Sequence, residues 1–184
     1  MALAQKKLYT IDDIYALPEG QRAELIDGDL YNLAPPVRIH QHLLMNLSAL
    51  IHRYIKSRHG DYLVYPAPFA VFLNKDNRNH VEPDISVICD RSKLDNQGCS
   101  GAPDWINEII SPSNPGHDYI RKLNLYADAG VREYWIVDPT VKEIAVYRLE
   151  NSIFRADLYT FQDTVEVNIY KDFHIDFSKL DLDI

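Results

Sequence analysis

Two cysteines in 184 residues are too few for a disulfide framework, and Cys89 and Cys99 lie too far apart for a metal knuckle. Cys89 ends an apolar run and reads as a small core residue, whereas Cys99 falls in a loop stretch that assigns it no role. Long apolar runs are missing too: nothing approaches the roughly 18 uncharged apolar residues that a membrane helix needs, and "MALAQKKLYTIDD" has no apolar core of a leader. A cytoplasmic protein with no membrane partner is expected. There is no P-loop, no Gly-rich dinucleotide fingerprint and no His-Glu-x-x-His. Ser111 and Ser113 have no His at a spacing that would support a serine hydrolase. No repeat, linker or low-complexity tract divides the chain, whose length suits one domain over residues 1–184.

Positive charge is scarce overall. Nineteen Lys and Arg against 27 Asp and Glu leave a formal charge of −8, which argues against a surface coated uniformly for nucleic acid. From Arg38 to Gly60, however, there is no acid at all, and Arg38, Arg53, Lys56, Arg58 and four of the seven His lie there. A small basic surface on an acidic protein is compatible with that pattern, and an acidic surplus is part of what a cation site requires.

Local signals then give the elements. "YTIDDIYALPEG" reads as a short helix with Thr10 as N-cap and Asp13 three residues on. "AELIDGDLYNLA" alternates on either side of Asp27-Gly28, which predicts a hairpin with Glu24 at the start of its first strand. In the acid-free segment, Leu43, Leu44, Leu47, Leu50, Ile51, Tyr54 and Ile55 recur at helical spacing, and Gly60 is the expected C′ stop. "DYLVYPAPFAVFL" reads as a strand or strand pair broken by prolines, followed by the strand "DISVIC". The strand "WINEII", the helix "YIRKLNLYADAG" closed by Gly130, and the strand "VREYWIVD" make a right-handed crossover with parallel strands. "EIAVYRLE", "FRADLYTFQ" and "VEVNIY" add shorter antiparallel strands. The expected class is α/β with a mixed central sheet.

The acids in this framework carry the chemistry. Pro83 stiffens the approach to a strand that Asp84 enters in a fixed direction. Glu108 interrupts an apolar strand, where an acid is costly unless paired or bound to a cation. If the two strands are neighbours, Asp84, Glu108 and a carbonyl such as that of Ile109 can converge on one cation, and oxygen ligands suit Mg²⁺ or Mn²⁺ rather than zinc. Phosphate hydrolysis also needs a positive group, for which Lys122 on the next helix is the candidate. Spacing by itself favours a plainer role for Lys122, as an exposed partner of Asp118 four residues before it.

The stretches "AELIDGDL", "HQHLLMNL", "EPDISVI", "APDWINEIISPSN" and "YIRKLNLYADAGVREYWIVDP" together resemble the Uma-type endonuclease family. Those bacterial proteins, numerous in cyanobacteria, are placed in the PD-(D/E)XK restriction-endonuclease-like superfamily. The resemblance spans roughly residues 8 to 150. It implies a restriction-endonuclease-like core of mixed strands flanked by helices, with a divalent-metal site at the open edge of the sheet. By position, Asp84 matches the Pro-Asp aspartate and Glu108 the second-strand acid. The superfamily pattern puts Lys two residues after that acid, yet position 110 is Ile. In the Uma-type proteins a Lys on the following helix substitutes, and Lys122 stands there, which makes the catalytic reading of Lys122 the favoured one. Glu24 matches a recurring glutamate and is either a supporting metal ligand or an exposed strand-end acid. His40 and Gln41 match a His-Gln at the start of the long helix, where a His can touch phosphate or cap its own backbone.

Other residues invite plainer readings. Glu82 reads as turned away from the Asp84 direction or into the loop, and Asp104 reads as polar punctuation four residues before Glu108. "SPSN" can bind phosphate at a helix start or serve simply as a turn. Tyr134 and Trp135 inside "EYWIVD" read as core rather than as a base-stacking pair.

Residues and resemblance together imply a Mg²⁺- or Mn²⁺-dependent endonuclease acting on DNA, with Asp84, Glu108, Lys122 and Glu24 as its machinery. The alternative is an inactive nuclease-like fold that binds nucleic acid or protein, motivated by Ile110 and the charge of −8. Hydrolysis of a small phosphoester ranks third, since no nucleobase pocket is legible. A homodimer follows from the resemblance, with the strands after Glu150 as candidate edges.

Overall fold

The computed structural model describes residues 7–74, 76–111 and 117–180, without the side chains of 117–120. Helix α1 (Ile11–Tyr15) begins where the Asp13 carboxylate accepts the Thr10 N–H at 2.8 Å, the expected capping box. Strands β1 (Ala23–Ile26) and β2 (Asp29–Asn32) form the expected hairpin. Asp27 and Gly28 both take positive φ, 51° and 82°, as the tight turn demands. Helix α2 (Arg38–Ser57) buries Leu43, Leu44, Leu47, Ile51 and Ile55. Its stop differs from expectation by one residue. His59 is the left-handed C′ (φ 53°), and Gly60 follows it, donating its N–H to the Ile55 carbonyl at 3.0 Å.

Then come β3 (Leu63–Pro66), β4 (Val71–Phe72), β5 (His80–Val81), β6 (Ile85–Ile88), β7 (Cys99–Ser100) and β8 (Trp105–Ile109). Helix α3 (His117–Ala129) leads to β9 (Glu133–Asp138), β10 (Glu143–Glu150), β11 (Ile153–Thr160), β12 (Thr164–Glu166) and β13 (His174–Asp176). The main sheet has six strands in the order β11-β10-β9-β8-β6-β3. Only β8 and β9 are parallel in it, joined through α3 as the crossover requires. This is the expected mixed α/β sheet. A second sheet, β2-β1-β5-β4-β7, has no counterpart in the sequence reading, because three of its strands are two residues long and show no period. Cys99, read as a loop residue, is fully buried in it.

Alternation along β8 sends side chains to two different cores. Trp105 and Ile109 join Leu43, Leu47 and Ile51 of α2, with Trp135 buried beside them as expected. Ile106 and Ile110 join Leu125 and Tyr126 of α3 and Val71 and Val81 of the second sheet. Glu108 shares the parity of Ile106 and Ile110, so it points towards α3. Among the described residues, no helix is long and apolar enough to cross a membrane.

Candidate active site

Strands β6 and β8 are antiparallel neighbours, Ile85 facing Asn107 and Ser86 facing Ile106. One further step along that register puts Asp84 opposite Glu108 and on the same face of the sheet. The neighbour condition on the two acids is therefore met. Asp84 Oδ2 accepts the Ile109 N–H at 2.7 Å and also accepts from His40 Nε2 at 3.0 Å. His40 is buried at the start of α2, so its ring spans the helix and the sheet rather than capping solvent-exposed backbone.

Lys122 is only 5% exposed, which overturns its reading as a surface residue. Its Nζ lies 2.8 Å from Glu24 Oε2 and 3.0 Å from Glu108 Oε1. The side chain of Asp118, its expected partner, lies outside the described residues. Glu24 is likewise buried at 1% exposure, not an exposed strand end. Its Oε1 also accepts the Glu82 N–H at 2.9 Å. Glu82 turns to Arg22 in an ion pair at the rim of the same cleft. These groups, with Gln41 and Ser111, line a cleft of about 540 Å³.

The electrostatics follow from burial. Desolvation pushes the Glu108 pKa up to about 7; the Asp84 and Glu24 charges add to this, and Lys122 opposes it. Burial works against a charged His40, yet the bond to Asp84 and the Asp84 and Glu108 carboxylates outweigh it and raise its pKa. Burial and the adjacent Glu108 carboxylate hold the Tyr126 phenol well above its ordinary value. The site is a buried cluster with more acid than base.

That donor set fits a divalent cation. Asp84 spends Oδ2 on His40 and Ile109, and Glu108 spends Oε1 on Lys122 and Tyr126. Among the described residues, Asp84 Oδ1 and Glu108 Oε2 accept no hydrogen bond. No three His, Cys, Asp or Glu side chains among the described residues converge closely enough to hold an ion by themselves. Two carboxylates, a carbonyl and water form the kind of oxygen set that Mg²⁺ takes, since it keeps much of its hydration.

Sequence reasoning missed Tyr126, whose hydroxyl donates to Glu108 Oε1 at 2.9 Å. It lies four residues after Lys122 on α3, so helical spacing from that lysine was the available signal. Asp104 accepts the Cys89 N–H at 2.8 Å and pairs with Arg132 at 3.3 Å, away from the cluster, in keeping with its reading as punctuation. Of "SPSN", only Ser111 falls within the described residues, and Ser113 lies outside them.

A family model, Uma2, described as "Putative restriction endonuclease", matches residues 11–183. Two uncharacterized proteins of Synechocystis sp. are similar to the chain. One, slr1290, is 26% identical over 128 residues, covering 69% of this chain and 66% of that protein, just under two thirds of its length. The other, sll1609, is 24% identical over 153 residues, covering 80% and 85%. The crystal structure of a "putative nuclease belonging to DUF820" from Anabaena variabilis matches with a TM-score of 0.76, 93% of this chain and 96% of that one being covered. At 21% identity that likeness is one of fold, and the fold is restriction-endonuclease-like.

Proposed function

The chain belongs to the Uma2 family, and on that premise we propose that it is a metal-dependent endonuclease hydrolysing phosphodiester bonds in DNA. The observation that carries this reading is the pair of facing carboxylates, Asp84 and Glu108, with the buried Lys122 ammonium 3.0 Å from Glu108 Oε1 in an open cleft. Asp84, Glu108 and the Ile109 carbonyl are the groups that hold the cation. Mg²⁺ or Mn²⁺ bound there supplies positive charge against the phosphate oxygens. Lys122 orients the attacking water and offsets charge building on the phosphate. Glu24 supports the site through Lys122, because both of its oxygens lie within 3.0 Å of that ammonium. His40 and Tyr126 act as positioning residues, each fixing one oxygen of a ligand carboxylate.

Ile110, where the superfamily pattern has lysine, is packed into the second core. Lys122 brings an ammonium to the same carboxylate from α3 instead. The exposed Arg38, Arg53, Lys56 and Arg58 of the α2 region give the acidic chain a local surface for a phosphate backbone. A homodimer belongs to the same reading, since a single domain of this size offers limited surface for clamping a duplex.

The reading is tested by incubating supercoiled, linear and single-stranded DNA with Mg²⁺, Mn²⁺ or EDTA and the wild type, Asp84→Ala or Lys122→Ala. Metal-dependent cutting that both variants lose is expected. A second reading, a nuclease-like fold that binds without cutting, is favoured by the ion pairs that already engage Lys122 on both sides. Metal-independent DNA binding by a folded but inert wild type would select it over the first.

A further inference from the structure

We propose that β11 is a self-complementary docking edge and that its occupant is β11 of a second copy of this chain, paired antiparallel about a two-fold axis at Ala156. It gives the homodimer of the nuclease reading a surface, one that follows from the strand alone. Strand β11 is the outer strand of the main sheet, and its eight residues are mostly exposed, Ile153 at 70% and Leu158 at 66%. A long edge with exposed apolar side chains is a template for another strand.

The turn before β11 decides which backbone groups are available. Asn151 and Ser152, both at positive φ, join the facing pair Glu150 and Ile153 in a two-residue turn. A turn of this type closes on a hydrogen-bonded pair, so Ile153, Arg155, Asp157 and Tyr159 direct their N–H and C=O groups to β10. Phe154, Ala156, Leu158 and Thr160 direct theirs outward. Two bonds agree with that parity: Thr160 N–H turns out to the Asp163 carboxylate at 2.7 Å, while Phe161 N–H turns in to the Lys142 carbonyl at 3.1 Å.

An antiparallel pair of copies exchanges hydrogen bonds about a two-fold axis that passes beside a residue rather than between two, because outward-facing residues then oppose outward-facing ones. Centring on Ala156 sets Arg155 opposite Asp157 of the second copy, and Asp157 opposite its Arg155. It also sets Phe154 opposite Leu158 and Ile153 opposite Tyr159. Alternation keeps the charged pairs and Ile153–Tyr159 on one face, and Phe154, Ala156 and Leu158 on the other. Centring on Arg155 or Asp157 sets like charges opposite each other, and centring on Phe154 or Leu158 brings no opposite charges face to face. Charge therefore selects this register among those that backbone parity allows. Within one chain Arg155 pairs with Glu150, both exposed, and the exposed Asp157 pairs with the largely buried Arg148, so Arg155 and Asp157 can exchange partners across the axis from the solvent side.

Sedimentation of the full chain over a concentration series, combined with amide exchange, tests the proposal. A reversible dimer is expected, in which the Phe154, Ala156 and Leu158 amides slow as concentration rises while those of Arg155 and Asp157 are protected throughout. Arg155→Asp puts acids opposite each other and should weaken dimerisation roughly tenfold or more. The swap Arg155→Asp with Asp157→Arg should restore it, while still leaving an acid beside Arg148. Thermal unfolding of each variant separates a lost interface from a lost fold, and Ala156→Pro removes an outward N–H without touching the β10 ladder. A monomer at every concentration would overturn the proposal. So would a dimer whose Phe154, Ala156 and Leu158 amides exchange at the monomer rate.

Discussion

Glu108 and Glu133 are both acids inside apolar strands, and β8 and β9 that carry them lie side by side. Their surroundings differ in kind. Glu108 faces α3, with Lys122, Tyr126, Asp84 and Glu24 around it and an open cleft beside it. Glu133 is fully buried on the other face, where Oε1 accepts from Trp135 Nε1 at 2.8 Å and the Asn168 N–H at 3.1 Å. Its Oε2 accepts the Ile169 N–H at 3.0 Å. Burial raises the Glu133 pKa against those three donors and the charge of Arg148. Glu133 ties the segment after β12 to the sheet. A buried acid is thus not a site by itself; what separates the two is whether its partners are other charges beside open space or fixed N–H donors.

The largest test removes the cation from the first cluster. Lys122→Met leaves Glu24 and Glu108 buried without their ammonium and should cost about 3–5 kcal/mol in urea unfolding. Adding Glu24→Gln should recover part of that loss, because the two residues act as a unit. A cost near zero would mean that the cluster is not held by charge at all.

Next comes the purely structural acid. Glu133→Ala orphans three N–H donors and should cost about 3 kcal/mol. Cation binding, read as a Mg²⁺- or Mn²⁺-dependent shift in melting temperature, should survive below the variant's melting point. If that shift vanishes from a folded protein, the contrast between the two acids fails.

Glu108→Gln should keep the fold to within about 1 kcal/mol near neutral pH and lose cation-dependent cleavage. Its pH signature has a definite sign. With its folded pKa raised to about 7 from an ordinary 4.5, Glu108 contributes stability that is fully present at acid pH and lost as pH rises through about 7. The cation-free wild type should show that decline, and Glu108→Gln should flatten it; parallel curves would assign the slope to other groups. The smallest effect is expected from Tyr126→Phe, about 1 kcal/mol for the hydroxyl bond to Glu108, accompanied by weaker cation binding rather than its loss.

How much of this was legible beforehand follows from how far each partner lies along the chain. Glu108 could be singled out because an acid in "WINEII" breaks an apolar pattern, and Asp84 because Pro83 precedes it. The same break in "VREYWIVD" drew no attention to Glu133, and nothing local could have explained it, since the Asn168 and Ile169 N–H groups are supplied 35 and 36 residues later. Lys122 was ambiguous for a related reason. Its partner Glu24 is 98 residues away, while a neighbour at helical spacing offered a plainer account.

Short-range chemistry determined the Thr10–Asp13 cap, the Asp27-Gly28 hairpin, the apolar face of α2 and the β8–α3–β9 crossover, because each depends on groups a few residues apart or on a steady period. Tertiary structure alone decided that β6 lies beside β8 with Asp84 opposite Glu108, that two-residue strands assemble a second sheet, and that Lys122 is buried between two acids. Those outcomes rest on pairings between distant segments, whose register is selected only when whole faces are buried together.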